Sequence, residues 1–271
     1  MNNVVLITGA SAGIGKTTAK LLIANGYKVY AGARRLDNLK DLETLGAGIM
    51  RLDVTDEASL KSAVDTVIKA EGRLDILINN AGYGAHGAIE DVPMSEARRQ
   101  FDVNVFGLAR LTQLVLPIMR KQGSGKIVNI SSIAGKITLP LGGWYHATKH
   151  AVEAYSDALR AEVCRFGIKV ILIEPGAIKT EWDTVAMANL AKYSGTGPYA
   201  SMTDKLVNKF RAGYKAGAPG PDVVAKAILK ALRASRPAAR YAVPFQAKLI
   251  LLMKWLLPDC VLDFAIRTAL K

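Results

Sequence analysis

Six near-continuous apolar runs of strand length punctuate the first 180 residues: VVLIT (4–8), YKVYAG (27–32), GIMRL (48–52), DILIN (75–79), KIVNIS (126–131) and KVILIE (169–174). Between them apolar residues recur at helical spacing, as in GKTTAKLLIANG after the first run and EASLKSAVDTVIKAEG after the third. A strand covered on both faces has no wet side on which to alternate polar residues, so this pattern predicts a parallel sheet with helices packed on each face. The fold class that follows is α/β, a doubly wound parallel sheet in which ligands bind beyond the carboxyl ends of the strands. RYAVP (240–244) reads as one further strand. No Pro-rich or Ser-rich linker and no repeat at a solenoid period divides the chain, so residues 1–271 are expected to form a single domain. Residues 176–220 differ in mixing Gly195, Gly197, Pro198, Gly213, Gly217, Pro219 and Gly220 with helical pieces. Following a strand's carboxyl end, they are placed to act as a lid over a ligand.

Composition narrows the class. Apolar residues make up 50% and charged residues 22%, which excludes wholesale disorder and collagen-like architectures. The two cysteines, Cys164 and Cys260, are too few for a disulfide framework or a cysteine metal cage and read as plain apolar side chains. His86, His146 and His150 have no carboxylate or cysteine partner at ligand spacing, and no HExxH motif accompanies His146 and His150, so no metal is expected. The opening MNNVVLITGA lacks the charged n-region and long apolar stretch of a signal peptide, which makes a cytoplasmic location the expectation. Net charge is +13, from 36 basic and 23 acidic residues, and it is uneven: residues 201–271 hold 13 basic and 4 acidic groups, net +9. A basic segment of this kind suits nucleic acid, an anionic membrane or an acidic substrate, and charge alone does not choose among them.

The first strand runs straight into Thr8-Gly9-Ala10-Ser11-Ala12-Gly13-Ile14-Gly15 and then a helix. Glycines there let the backbone approach a pyrophosphate, while free N–H groups and the helix dipole stabilise its charge. The spacing is Gly-x3-Gly-x-Gly, not Gly-x-Gly-x-x-Gly. In NAD enzymes of this architecture an acidic side chain about 20 residues on takes the ribose hydroxyls. Here that place holds Ala33, followed by Arg34 and Arg35, with Lys16 and Ser11 near enough to assist. A carboxylate would repel a 2′-phosphate and a guanidinium grips it with paired hydrogen bonds, so NADP is the expected cofactor, with Arg34 on its phosphate.

Tyr145 and Lys149 are four apart in a helical stretch and so share a face. A lysine charge beside a tyrosine favours the phenolate and lowers its pKa, which makes an acid–base group for neutral pH. Thirteen residues before Tyr145 stands Ser132, just past a strand end, where a hydroxyl could bond a carbonyl; Ser131 is its rival.

TGASAGIG (8–15), NNAG (79–82), Asn104 in FDVNVFG, Ser132 with YHATK (145–149) and PGAIKT (175–180) occur in one order over two-thirds of the chain. Together they resemble the short-chain dehydrogenase/reductase family, whose fold is of the Rossmann type. The resemblance implies that Tyr145 is the general acid in reduction, Ser132 polarises the carbonyl, and Lys149 tunes Tyr145 and binds the nicotinamide ribose. Asn104 would hold a water in the proton relay. Gly9, Ser11, Gly13, Ile14 and Gly15 would carry the pyrophosphate turn, and Asp53 and Val54 would flank the adenine. Asn80, Ala81 and Gly82 would line the cleft, with Pro175, Gly176, Ile178 and Thr180 at the nicotinamide end. It also implies a homodimer or homotetramer. GYGAHGAIEDV after NNAG, with the extended basic and apolar C-terminus, is most similar to the hydroxysteroid dehydrogenase-like and acyl-dihydroxyacetone-phosphate reductase-like branch, which implies a bulky apolar alcohol or ketone.

The expected activity is thus NADP(H)-dependent hydride transfer between nicotinamide and a carbonyl or secondary alcohol. A catalytically idle NADP-binding sensor on the same fold is the alternative, which intact Ser132, Tyr145 and Lys149 argue against. Nucleic-acid binding is not expected, because no aromatic platform or helix-turn-helix pattern backs the basic tail. In that tail, FQAKLILLMKWLL (245–257) places Phe245, Leu249, Ile250, Leu252, Met253, Leu256 and Leu257 in one arc of roughly 160°, with Lys248 and Lys254 opposite. It is too short to span a bilayer. Core packing, a subunit contact and a peripheral membrane contact are its three readings.

Overall fold

Among the described residues seven strands form one sheet: β1 (Val4–Thr8), β2 (Lys28–Ala33), β3 (Gly48–Arg51), β4 (Ile76–Asn79), β5 (Gly125–Ile130), β6 (Ile168–Pro175) and β7 (Arg240–Val243). All neighbours run parallel, in the order β3-β2-β1-β4-β5-β6-β7. The helices between and after them are α1 (Gly13–Ala24), α2 (Lys40–Thr44), α3 (Glu57–Glu71), α4 (Met94–Phe101), α5 (Gly107–Gln122), α6 (Gly143–Val163), α7 (Glu181–Ser194), α8 (Ala200–Lys215), α9 (Asp222–Arg233), α10 (Phe245–Leu256) and α11 (Asp259–Leu270). This computed structural model describes residues 3–215 and 217–270. Positions 1, 2, 216 and 271, which fall in the expected domain, lid segment and tail, lie outside the described residues.

The doubly wound α/β sheet expected from the apolar runs is the architecture found, with RYAVP supplying the seventh strand. Side chains alternate between two cores. Val5, Ile7, Val29, Ile78, Val128 and Ile171 face Leu22 of α1 and Ile228 and Leu232 of α9. Val4, Leu6, Leu77, Ile127 and Val170 face α3 and α5 through Val64, Val67, Leu111 and Val115. Each such side chain contributes roughly 1.5 to 3 kcal/mol by leaving water. Strand order reverses between β1, which pairs β2 on one side, and β4 on the other, and the crevice above that point is where this fold binds ligands.

Two expectations need correction. Cys164 and Cys260 are both exposed, because Cys164 ends α6 and Cys260 lies on the outer tail helix. In α10 the apolar arc is the solvent-facing side: Ala247 is buried, whereas Phe245, Leu249, Ile250, Leu252, Met253 and Leu256 are exposed. Packing of that arc on the protein's own core is therefore not what the fold does. The segment 176–220 folds largely as α7 and α8, which bury Leu190 with Ala88 and Leu141 and are joined by Met202 and Leu206.

Candidate active site

The turn between β1 and α1 is shaped by backbone conformation. Gly9 and Gly13 adopt φ of +67° and +52°, a region that favours glycine. A Cβ on Gly9 would lie 2.8 Å from Ala81 Cα, and one on Gly15 would lie 2.5 Å from the Gly9 carbonyl oxygen. Asn80 fastens the turn: its Nδ2 donates to the carbonyls of Thr8 (2.9 Å) and Gly9 (3.1 Å), while Thr8 Oγ1 accepts the N–H groups of Asn80 and Ala81, both at 3.0 Å. Helix α1 opens with Ala12 at its N-cap, without a side-chain cap and without an acidic residue in its first turn. Its leading N–H groups are left for an anion, which the helix dipole favours. Ile14 anchors this end on the core. A cleft of about 590 Å³ opens beside it, lined by Ser11, Gly13, Lys16, Asn38, Asp41 and Glu181 among others.

Arg35 forms a basic lip beside the glycine turn, next to Arg34 at the end of β2. Arg35 Nη2 lies 3.4 Å from Ser11 Oγ and 3.6 Å from Glu181 Oε2. Arg34 instead acts on Asp53: burial raises that carboxyl, but hydrogen bonds from Thr55 and the charges of Arg34 and Arg99 outweigh it and hold the group below its ordinary value. The guanidinium turned to the glycine turn is therefore that of Arg35, beside the Arg34 that spacing singles out. Lys16 reaches away across the cleft, to Asn38 O (2.9 Å) and Asp41 Oδ1 (2.8 Å). Val54 lies at the same strand end, pressed against Gly107. Open glycine cradle, uncapped helix and basic lip together fit a nicotinamide dinucleotide.

The second cluster gathers at the carboxyl ends of β5 and β6. The Ser132 hydroxyl caps the turn that follows β5, accepting from Ala134 N–H at 3.1 Å, and donates to Pro175 O at 3.3 Å; it is also near enough to Tyr145 to pull down the pKa of its phenol. Ser131 Oγ is buried without a hydrogen-bond partner, on the inner side near Gly135. Ser132, and not Ser131, is thus the serine that acts on Tyr145. Lys149 is buried, donates to Ile130 O at 2.8 Å, and stands 5.8 Å from the Tyr145 ring centroid. Burial lowers its pKa to about 8, with the Glu153 carboxylate opposing.

For Tyr145 the expected lowering is not met. Burial drives its pKa upward and the Asp183 carboxylate adds to this, with the nearby Ser132 hydroxyl alone pulling down. The phenol is held protonated, the state needed to donate a proton.

Asn104 sits in a π-helical segment, Asp102–Phe106, wedged between α4 and α5. Such widened turns recur at functional sites because they re-aim one side chain. Its Oδ1 accepts from Tyr83 N–H at 3.0 Å, its Nδ2 donates to Tyr83 O (2.9 Å) and Thr148 Oγ1 (3.1 Å), and it touches the cleft at Gly82. On the far wall Thr180 caps α7 with Asp183 in a reciprocal capping box and lies against Gly13. Ile178 joins the core, and Gly176 donates to Val243 O at 2.7 Å.

The short chain dehydrogenase family model matches residues 3–190. The chain belongs to the short-chain dehydrogenase family. It is 38% identical over 269 residues to a 3-ketodihydrosphingosine reductase of Bacteroides thetaiotaomicron, covering 97% of this chain and 96% of that one. It is 37% identical over 269 residues to an NADPH-dependent 3-dehydrocapnine reductase of Ornithobacterium rhinotracheale, covering 95% and 94%. A short-chain dehydrogenase from Streptomyces avermitilis has a similar structure, with a TM-score of 0.84, 35% identity and coverage of 97% and 94%. Solved neighbours carry either cofactor: one from Burkholderia phymatum is in complex with NAD (TM-score 0.80, 26% identity, coverage 94% and 92%), and a serine dehydrogenase is complexed with NADP+ (0.79, 28%, 90% and 95%). As a short-chain dehydrogenase the protein is a hydride-transferring oxidoreductase.

Three side chains at the dehydrogenase site were not singled out for it by sequence reasoning. The rings of Trp182 and His86 lie 4.9 and 5.5 Å from that of Tyr145, and Asp183 acts on it electrostatically. His86 is kept neutral at physiological pH, its pKa lowered to about 4 by burial and by His146. An aromatic two residues past Thr180 was the available signal for Trp182. Among the described residues no group of three or more His, Cys, Asp and Glu is placed to hold a metal.

Proposed function

We propose that the protein is an NADP(H)-dependent reductase of a carbonyl on a bulky apolar molecule, with oxidation of the corresponding alcohol as the reverse reaction. The carrying observation is the meeting of Ser132, Tyr145 and Lys149 at the carboxyl end of β5, where Lys149 donates to Ile130 O, together with the glycine turn of Gly9, Gly13 and Gly15 after β1. The cofactor, when bound, supplies the hydride. Tyr145 donates the proton from its hydroxyl, and Ser132 hydrogen-bonds the carbonyl oxygen and orients it. Lys149 brings positive charge to the ribose and to Tyr145, and Asn104 completes the polar contact between Gly82 and Thr148. Arg34 and Arg35 favour a 2′-phosphate over the free hydroxyls of NAD.

Aromatic walls at His86 and Trp182 support the apolar substrate, and so do relatives named for 3-ketodihydrosphingosine and 3-dehydrocapnine. Within the family this reading places the chain near the hydroxysteroid dehydrogenase-like and acyl-dihydroxyacetone-phosphate reductase-like branch. It further takes α7 and α8 as the substrate lid, a homodimer or homotetramer as the assembly, and residues 245–257 as a peripheral membrane contact. The test is NADPH consumption against ketones and aldehydes graded by size and hydrophobicity. kcat/KM should climb with apolar bulk and fall with NADH. Preference for small polar carbonyls, or equal use of NADH, would overturn it.

A further inference from the structure

Helix α10 turns its apolar side outward and its smallest side chain inward. Ala247 is 1% exposed and abuts Gly176, where a Cβ would lie 3.2 Å from the Ala247 Cβ. At 100° per residue Ala247, Leu251 and Lys254 share the inner side, while Phe245, Leu249, Leu252, Met253 and Leu256 fan out opposite. Phe245 is 75% exposed and Trp255, at the edge of the fan, 80%. Helix α11, which packs against α8, adds the exposed apolar side chains Val261 and Phe264, the latter 71% exposed. Large apolar side chains exposed together along one helix face mark a contact surface.

Charge says what the contact is. Lys248 beside the fan, Arg267 on α11, and Lys209 and Arg211 on α8 are all exposed. Against them stand Asp204, Asp263 and Asp259, the last paired with Lys254. A second copy meeting this face about a two-fold axis would set a basic patch against itself. An anionic leaflet attracts the same patch, takes up the apolar fan, and suits a Trp beside a Lys at its headgroup level. The face is also tied to the site, since Gly176 opens the loop that leads through Ile178 and Thr180 to Trp182, whose ring meets Tyr145.

We infer that α10 and α11 dock on an anionic lipid surface and, through the seat of Ala247 on Gly176, set the mouth of the active site at the lipid boundary, so that the carbonyl substrate is drawn from the membrane. The docking deepens the membrane contact proposed above for residues 245–257, and the delivery step rests besides on the reading of the site as a reductase of apolar carbonyls.

The test uses the full-length chain with vesicles of phosphatidylcholine alone or mixed with phosphatidylglycerol. Co-sedimentation should be strong with the mixed vesicles at low salt, weaker with phosphatidylcholine, and reduced by salt. Leu249→Glu with Leu256→Glu, both at exposed positions, should cut the partition coefficient at least about tenfold while mass by sedimentation equilibrium stays the same. Lys248→Glu with Arg267→Glu should leave the apolar fan intact and abolish the preference for phosphatidylglycerol. NADPH consumption with a long-chain ketone dissolved in vesicles should fall with binding in the Leu variant, and that with a short water-soluble ketone should not. No binding to mixed vesicles at low salt would overturn the docking, as would a Leu variant of reduced mass and unchanged vesicle binding, the result expected if a second copy covers the face. Vesicle binding without turnover of either ketone would sink the reductase reading and the delivery step together while supporting the docking.

Discussion

The ring of Trp182 lies 4.9 Å from that of Tyr145 and is inclined to it by 53°. His86 closes the group, edge-on to Trp182 at 5.6 Å. The first turn of α7 therefore lies against the Tyr145 ring, and it is held there by the Thr180–Asp183 capping box. In the proposed reductase this aromatic wall presents an apolar face to the carbonyl substrate. An aromatic pair is worth about 0.5 to 1.5 kcal/mol beyond its area, so Trp182→Ala should raise KM for an apolar ketone by roughly 2- to 12-fold or more while NADPH affinity changes little. Steady-state kinetics would show otherwise if KM stayed the same.

Removing the phenolic oxygen separates binding from chemistry. Tyr145→Phe keeps the ring contacts with Trp182 and His86 and should leave the NADPH dissociation constant nearly intact, with turnover falling by at least the 10² to 10⁴-fold typical of a positioned acid. A variant retaining more than about half its activity would mean that another group donates the proton.

Lys149 sets the alkaline limit. Burial lowers its pKa to about 8, and its charge, present below that value, is lost as pH rises through it. Reduction should therefore decline above about pH 8. Glu153, one turn along α6, supports the charge, so Glu153→Gln should move this limb to lower pH in the profile of kcat/KM. An unmoved limb would assign it to a different group.

Cofactor choice follows the arginine lip. Charge-assisted hydrogen bonds to a phosphate contribute about 1.5 to 3 kcal/mol, or roughly 10- to 150-fold in affinity. Ala33→Asp with Arg34→Ala should shift preference toward NAD. Because Arg35 is the guanidinium beside Ser11, Arg35→Ala alone should also weaken NADPH more than NADH. Titration of each nucleotide decides this, and equal or better NAD binding by the unaltered protein would refute the NADP assignment.

How far these features were legible depends on the range of the interaction that makes them. Strands β1 to β6 were readable because burial on both faces demands unbroken Val, Ile and Leu, and the glycine turn because its backbone tolerates few side chains. Tyr145, Lys149 and Ser132 lie close in sequence around one strand end. Trp182 and His86 reach Tyr145 from separate segments, and no local pattern encodes that meeting. Whether Arg34 or Arg35 turns to Ser11 depends on how the chain leaves β2. In α10 the arc was visible, yet an apolar arc looks the same whether it meets core or solvent. What decided the orientation was the fit of small Ala247 on Gly176.

The acid pair behind the site gives the protein a pH signature of its own. Glu153 on α6 and Glu174 on β6 are buried together, bridged by Arg240 Nε at 3.0 and 3.4 Å, with Lys136 on Glu153 at 3.0 Å and Asp157 on Arg240 at 2.6 Å. Burial and the neighbouring Glu153 raise the Glu174 carboxyl from 4.5 to about 7, against the pull of Arg240 and Lys136. Between those two values the folded chain holds a proton that the unfolded chain releases, so the unfolded state binds fewer protons and stability falls as pH rises. One such group sets a slope of at most about 1.4 kcal/mol per pH unit. Glu174→Gln keeps the shape, bears no charge, and donates an N–H to Glu153. It should unfold at a higher midpoint than the wild type at pH 8, and this advantage should shrink toward pH 5, where Glu174 is protonated in the folded chain. Urea unfolding of both proteins at several pH values across this window would test it, and parallel stability curves would show that Glu174 does not take up a proton there.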